Sequence, residues 1–190
     1  MSFFAKKPIA LLLAVFLIAG STFTGAKVAM ERDSRKVEEL FYSGVETDGY
    51  LHPSIYSQLQ KRSEAANGLL SVGRSYELTA ECEDLSQARE RLGYSSSVSS
   101  YYYSDQELEK AFTALQGELE KCALSERDAK AVDTYVSTFS NAGGVIANSG
   151  YNEAVRAFYR DVVYQFPAEW FYYNSPSYID TPDYFGEMWY

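Results

Sequence analysis

Few residues in this chain could do chemistry, and their spacing decides which chemistry is open to them. The sequence of 190 residues holds one histidine, His52. That excludes a two-histidine zinc motif and a di-iron bundle site with its usual pair of histidines. Placed before Pro53 at a helix start, His52 reads as an exposed capping or loop residue. Glu81, Glu83 and Asp84 cluster, but neighbours this close in sequence largely diverge around a helix, which makes them a solvated face rather than a cation site. No phosphate loop, dinucleotide fingerprint or G-x-S-x-G elbow occurs. With no acid, base or nucleophile arrangement, the sequence implies no enzyme, no catalytic residue, no cofactor and no metal.

The stretch GYNEAVRAFYRDVVYQFP, residues 150–167, is crowded enough with charges and tyrosines to look like a site. Its spacing says otherwise. Tyr151, Val155, Phe158, Val162 and Phe166 recur at steps of three and four, one face of a helix, while Glu153, Arg156, Arg160 and Asp161 mostly take the other side. Pro167 ends the element, because the residue before a proline is pushed out of the helical region. The stretch is the end of a helix.

The elements that must position these residues begin with an apolar segment. Lys6 and Lys7 precede a run from Ile9 to Ala26 without a charge, and about 18 apolar residues is the lower limit for spanning the hydrocarbon of a bilayer. An uncleaved single-pass anchor in the cell membrane, continuing as helix through Val28, Val37 and Leu40, is the preferred reading. The alternative is a signal peptide cleaved near Ala26 and an exported chain. Lys27, Arg32, Arg35 and Lys36 after the span favour an inward body by the basic-residue rule, whereas the export-like start favours an outward one. The net charge is −9, and as Lys6 and Lys7 are the only charges among the first 26 residues, the rest carries −11. Such an acidic body repels phosphate backbones, so nucleic acid is excluded as a partner.

Beyond the breaker-rich TDGYLH, long helices dominate. Pro53 suits a first helical turn. From it Ile55, Leu59, Arg62, Ala66, Leu69, Gly73, Tyr76 and Ala80 form a coiled-coil-like seam, which shifts to Leu78, Cys82, Leu85, Arg89 and Leu92. This predicts one helix of about 40 residues over 53–92, near 60 Å long. Residues 94–104, rich in serine and tyrosine, read as a loop. Ser104 with Glu107 then makes a capping box for a helix over 105–123, striped by Leu108, Ala111, Phe112, Leu115, Leu119 and Cys122. Ser125, with Asp128 at the box position, starts a last long helix to residue 166. Val132, Tyr135, Val136, Phe139, Ala142 and Ile146 form its stripe. Gly143, Gly144 and Gly150 within it are read as sites of close packing in preference to a bend.

Cys82 and Cys122 both lie on apolar stripes, where buried thiols sit. In a hairpin of the two helices they would be offset by about seven residues, roughly 10 Å. A disulfide needs Cα atoms within about 7 Å, so two unpaired core thiols are expected, with a disulfide if the loop boundary is misplaced by a few residues.

Three segments carry a family resemblance. YNEAVRAFYRDVVYQFP resembles the closing helix signature of the LemA family through Tyr151, Asn152, Val155, Phe166 and Pro167, although Phe158, Tyr159 and Arg160 replace the second tyrosine-asparagine pair. LQKRSEAANGLLSVGRSY resembles the first soluble helix through Leu59, Lys61, Arg62, Leu69, Leu70 and Tyr76, with SEAAN departing from the usual aspartate, leucine and proline. SQARERL is similar to a further family segment. With the amino-terminal anchor, the resemblance covers residues 8–167. It implies an all-α, antiparallel four-helix bundle of long helices behind a transmembrane helix, with no established enzymatic activity and no catalytic residue to carry over.

These readings divide the chain into an anchor or signal-like segment (1–26), a helical bundle (27–167) and an irregular aromatic tail (168–190). The tail holds Trp170, Phe171, Tyr172, Tyr173, Tyr178, Tyr184, Phe185, Trp189 and Tyr190, broken by Pro176 and Pro182 and interspersed with Asp180, Asp183 and Glu187. An arm folded back on the bundle would bury rings that are otherwise an aggregation hazard. A partner-binding role for Trp170, Phe171, Tyr172, Tyr173, Tyr184, Phe185, Trp189 and Tyr190 follows from the weight of aromatics in binding hot spots. A membrane-interface role is a third reading, which the acidic residues weaken. Two functions are therefore expected. One is a non-enzymatic scaffold or interaction module, held in the membrane through residues 8–26 and engaging an unknown envelope protein. The other is a sensory module taking a small molecule between helices near Gly143, Gly144 and Gly150.

Overall fold

A computed structural model describes residues 7–165, 168–174 and 179–186. The chain is all-α apart from one two-residue hairpin. Among the described residues the α-helices are α1 (Lys7–Ser43), α2 (Ile55–Ser75), α3 (Thr79–Tyr94), α4 (Val98–Leu119), α5 (Glu126–Ala147), α6 (Tyr151–Phe158) and α7 (Ala168–Asn174). The strands β1 (Glu46–Thr47) and β2 (Tyr50–Leu51) pair antiparallel between α1 and α2. Two compact units result: residues 1–37 with 154–182, and residues 38–153 with 183–190. Neither boundary coincides with residue 26 or 167.

α1 is long and apolar enough to cross a membrane, with a mean hydropathy of 1.8 over 18 residues. The hydroxyls in its apolar stretch are satisfied within the helix. Ser21 and Thr22 donate to the Ile18 carbonyl at 2.9 and 2.8 Å, and Thr24 donates to that of Gly20 at 2.9 Å. Such back-bonding is how a hydroxyl is tolerated where no water reaches it. The helix stops at Gly44, whose φ of +91° is left-handed and whose N–H donates to the Leu40 carbonyl at 2.9 Å. A side chain there would also strike the His52 carbonyl, so glycine is required twice over. Asp48 and Gly49, at φ +54° and +76°, turn the hairpin.

Several expected boundaries are corrected. The helix predicted over 53–92 is two helices, separated at Tyr76, Glu77 and Leu78, with Glu77 left-handed at φ +59°. The seam shift at this point marks the break: a straight helix cannot bury both stripes, so Ala80, assigned to the first, is exposed. Pro53 precedes the cap instead of occupying the first turn; Ser54 caps α2 by accepting from the Ser57 N–H at 3.2 Å. Residues 94–104 are mostly helix. Ser97 and Ser100 satisfy each other's N–H groups in a capping box that starts α4 at Val98, which displaces the cap predicted at Ser104. Glu107 pairs with Arg91 at 2.7 Å. The helix expected over 125–166 breaks at Gly150, where φ is +75°.

Ser125 does cap α5, accepting from the Asp128 N–H at 3.1 Å. The return half of the box runs through a third residue: the Ser125 N–H donates to the Tyr76 hydroxyl at 2.9 Å, which donates to the Asp128 carboxylate at 2.9 Å. Hydrogen bonds from Ser125 and then Tyr76 hold the Asp128 carboxyl below its usual range. Tyr76→Phe is expected to cost about 1 kcal/mol and to return the Asp128 titration toward the ordinary value, read by urea unfolding and carboxyl NMR.

In the larger unit α2 packs on α3, α4 and α5, and α3 packs on α4. Leu59, Ala66, Leu69 and Leu70 of α2, Leu85 of α3, Leu108 and Leu115 of α4, and Phe139 of α5 are all buried. Gly73 is buried because neighbours crowd it: a Cβ there would stand 2.7 Å from Cys82 Sγ and 3.0 Å from Leu115 Cδ1. Gly73→Ala gains up to about 1 kcal/mol of helix propensity but overpacks the α2, α3 and α4 contact, for an expected net loss of about 1 to 2 kcal/mol in denaturant unfolding. Cys82 and Cys122 are free thiols, the first buried and the second half-buried. Burial pushes the Cys82 thiol pKa up, which makes it inert.

The other unit has its own small core of Met30, Phe158, Val163 and Ile179, against which Val37, Tyr172 and Ala168 pack. Residues 159–163 form a π-helical turn. Its extra residue per turn moves the buried face on by one. Val163 is therefore fully buried, and Val162, predicted to face inward, is half-buried. Phe166 and Pro167 lie outside the described residues.

Candidate functional site

Three places in the structure could support a function: a buried ion cluster, a small surface cavity and the seat of the tail. The first is centred on Arg62, which α2 carries on its apolar seam with a side chain 5% exposed. One guanidinium nitrogen donates to Asp105 of α4, itself 3% exposed, and the other to Glu109 one turn along at 2.9 Å. The guanidinium also lies 4.1 Å from the centre of the Phe139 ring of α5, and that ring stacks on Phe112 at 3.9 Å. A desolvated cation over an aromatic face is held there by the ring quadrupole. The cluster is incompletely satisfied, since Arg62 Nε and Asp105 Oδ1 are buried with no hydrogen-bond partner. Burial pushes the Asp105 carboxyl up to about 6, outweighing the pull of Arg62, and Glu109 adds to the rise. The arrangement can hold or release one proton near neutral pH. It contains no nucleophile.

Arg62 was legible as a charge on an apolar seam, a pattern that requires a buried counter-charge. Asp105 carries no such signal, because a cap at Ser104 puts it in the first turn of the expected helix, where an acidic residue is ordinary. The structure starts α4 earlier and turns Asp105 inward.

The cavity has a volume of about 160 Å³ and is lined by Arg74, Glu77, Thr79, Cys82 and Glu83 at the break between α2 and α3. Ligand pockets run from about 300 Å³ upward, so it accommodates a few waters. The lining does not include Gly143, Gly144 or Gly150. A Cβ on Gly143 would meet only Arg62, at 4.0 Å, and one on Gly144 nothing within 4 Å. Close packing is thus not why those two are glycine; Gly150 is required by its backbone. Glu83 and Asp84 point to solvent, and among the described residues no three His, Cys, Asp or Glu side chains gather as metal ligands would. His52 is half-buried, with its ring edge-on to Tyr50 at 5.0 Å.

The tail is partly folded back. Asn152, at the start of α6, grips Phe185 by its backbone: its amide nitrogen donates to the Phe185 carbonyl at 2.9 Å, and its amide oxygen accepts from the Phe185 N–H at 3.0 Å. Tyr151 donates to the Asp183 carbonyl at 2.9 Å, and Ser99 to the Asp183 carboxylate at 3.2 Å. The Phe185 ring enters between Phe41 and Tyr102, at 5.9 and 5.5 Å. Tyr151 and Asn152 therefore clamp the chain's own tail. Of the aromatics assigned to partner binding, Phe185 is buried, and Tyr184 and Tyr172 are half-buried. Trp170 and Tyr173 on α7 are 56% and 66% exposed. Phe171 lies on α7, while Tyr178, Trp189 and Tyr190 lie outside the described residues.

The fold and these sites define an all-α protein with an apolar amino-terminal helix. In comparisons with protein-family models, curated proteins and solved structures, nothing matches the chain.

Proposed function

We propose that this chain is a membrane-anchored helical-bundle protein of the LemA type, working as a non-enzymatic scaffold or interaction module at the cell envelope. The observation that carries the reading is the split character of α1. Phe16, Leu17 and Ile18 are 73%, 72% and 67% exposed, a continuous apolar surface that a bilayer would cover. Met30 and Phe41 of the same helix are buried in protein. The helix also runs unbroken through Thr24, Gly25 and Ala26, where cleavage of a signal peptide would need an accessible, extended backbone. In this proposal α2, α3, α4 and α5 form an antiparallel four-helix arrangement, and the exposed aromatics contact the surroundings.

The test is to express the full chain with a carboxyl-terminal tag, extract membranes at alkaline pH, and shave intact cells with protease while recording fragment masses. Retention of the uncut chain in the membrane is expected, with the shaved fragment fixing the side on which the body sits. A soluble chain starting near Lys27 would overturn the anchor.

One observation favours a second reading, a sensory module binding a small polar molecule between helices. Arg62 Nε and Asp105 Oδ1 are buried without a hydrogen-bond partner, and the Arg62 guanidinium lies near Gly143, where there is no side chain. A metabolite that raises the melting temperature of the parent, but not of Arg62→Met, would support that reading over a purely structural cluster.

A further inference from the structure

We infer that α7 is an interfacial element: Trp170 and Tyr173 sit in the headgroup layer of the bilayer that α1 enters, and the partner of this surface is lipid. The inference rests on the membrane-anchor reading and adds to it a second point of contact. α7 and the amino-terminal part of α1 belong to the same compact unit. Within that unit Tyr172 and Ala168 of α7 pack against the core built on Met30 of α1, with Val37 of α1 beside them. One face of α7 is thereby turned to a core that includes Met30, and the element it packs on is the turn at residues 159–163.

The level of Met30 can be placed against the membrane. The charge-free run ends at Ala26. Met30 lies four residues further on, about 6 Å along the axis, and Val37 about 16 Å. The headgroup layer on each side of the roughly 30 Å hydrocarbon core is about 5 to 8 Å deep, so the level of Met30 falls within that layer and Val37 lies beyond it. The outward side chains of α7 suit the layer. Trp170 and Tyr173 are among the most exposed large apolar residues outside the α1 span, and Tyr164, in the same unit, is 50% exposed. Tryptophan and tyrosine concentrate at this depth, because the ring is apolar while the N–H or O–H keeps a polar partner. On the adjoining stretch of α1, Lys27 pairs with Glu31, and Arg32 and Lys36 with Asp33, while Asp161 is offset by Arg160. A soluble partner protein would have no reason to sit at the height where the apolar span ends.

The test uses the full chain carrying Trp189→Phe, which leaves Trp170 as the sole tryptophan, since the sequence holds two. The protein is reconstituted in zwitterionic phosphatidylcholine vesicles, and the same preparation is extracted at alkaline pH. Expected are a blue-shifted emission, quenching by lipids spin-labelled near the headgroup at least about twofold stronger than by lipids labelled deep in the chain, and weak quenching by aqueous iodide. Quenching by iodide as efficient as for free tryptophan, with no effect of the shallow lipid label, in a preparation that resists extraction, would overturn the inference while leaving the anchor intact. Such a result would turn Trp170 toward a protein partner. Loss of the protein on extraction would instead refute the anchor, and the inference with it. Tyr173→Ala in the same single-tryptophan background serves as a second measure: α1 should still resist extraction, while the quenching of Trp170 by the shallow label falls.

Discussion

Replacing Asp105 by asparagine is expected to lower the stability of the chain by about 3 kcal/mol or more, with the denaturant midpoint falling and the slope unchanged. The substitution leaves Arg62 buried with Glu109 as its remaining ion-pair partner, and the Glu109 side chain is 55% exposed. The large figure measures the cost of stranding a buried cation, not the worth of the pair. Arg62→Met combined with Asp105→Leu should therefore recover most of the loss, since well-packed apolar side chains replace buried ion pairs at little cost. If the double variant is as unstable as Asp105→Asn, the cluster is contributing something packing cannot supply, and the sensory reading gains.

The same cluster predicts a pH dependence whose sign is opposite to that of an ordinary surface ion pair. The Asp105 carboxyl lies at about 6 against a reference value of 3.8, so between these values the folded chain holds a proton that the unfolded chain has released. Stability from this group is fully present below about pH 4 and is lost as pH rises through about 6, by roughly 2 to 3 kcal/mol. Asp33, Asp128 and Asp161 have lowered values and tilt the other way, so the informative quantity is the difference between the parent and Asp105→Asn. That difference should widen from pH 7 toward pH 4. A flat difference would refute the assignment.

Phe41→Ala is the second large effect, an expected loss of about 3 to 5 kcal/mol. Phe41 is fully buried, with the rings of Tyr42, Tyr101, Tyr151 and Phe185 between 5.0 and 5.9 Å away. Truncation opens a cavity where α1, α4, α6 and the tail meet in the larger unit. It also removes one wall of the Phe185 seat, so limited proteolysis should newly cut near residues 183–186. Phe185→Ala provides the contrast: it should release the same cut site at a smaller cost, because a terminal segment can leave without collapsing the helices. If the cut appears in neither variant, the Asn152 clamp alone holds the tail.

How much of this was legible in the sequence varies with the range of the interaction involved. The apolar run of α1, the buried stripe of α2 from Ile55 to Gly73 and the Ser125 cap are written in spacings of three and four residues, and they appear as read. The errors share a cause. The break at Glu77, the extension of α4 back to Val98 and the stop at Gly150 are points where local periodicity continues, or looks absent, while packing decides otherwise. Ser97 and Ser100 could be read as loop residues or as a capping pair, and burial of Val98 with half-burial of Tyr101 and Tyr102 selects the second. The π-helical turn at residues 159–163 is invisible in a pattern that assumes 3.6 residues per turn.

The sequence by itself determined that the protein is helical, acidic and fitted at its amino terminus with a segment able to enter a bilayer, because helix periodicity, charge and apolar length act over a few neighbouring residues. Only the tertiary structure decided that Arg62 meets Asp105 and Phe139, that Asn152 clamps Phe185, and that Tyr172 of α7 packs on a core shared with Met30. Each of these joins positions dozens of residues apart or more, whose meeting depends on where every intervening helix stops. A one-residue change in such a stop rotates the following face by about 100°, so long-range partners stay out of reach of any local pattern.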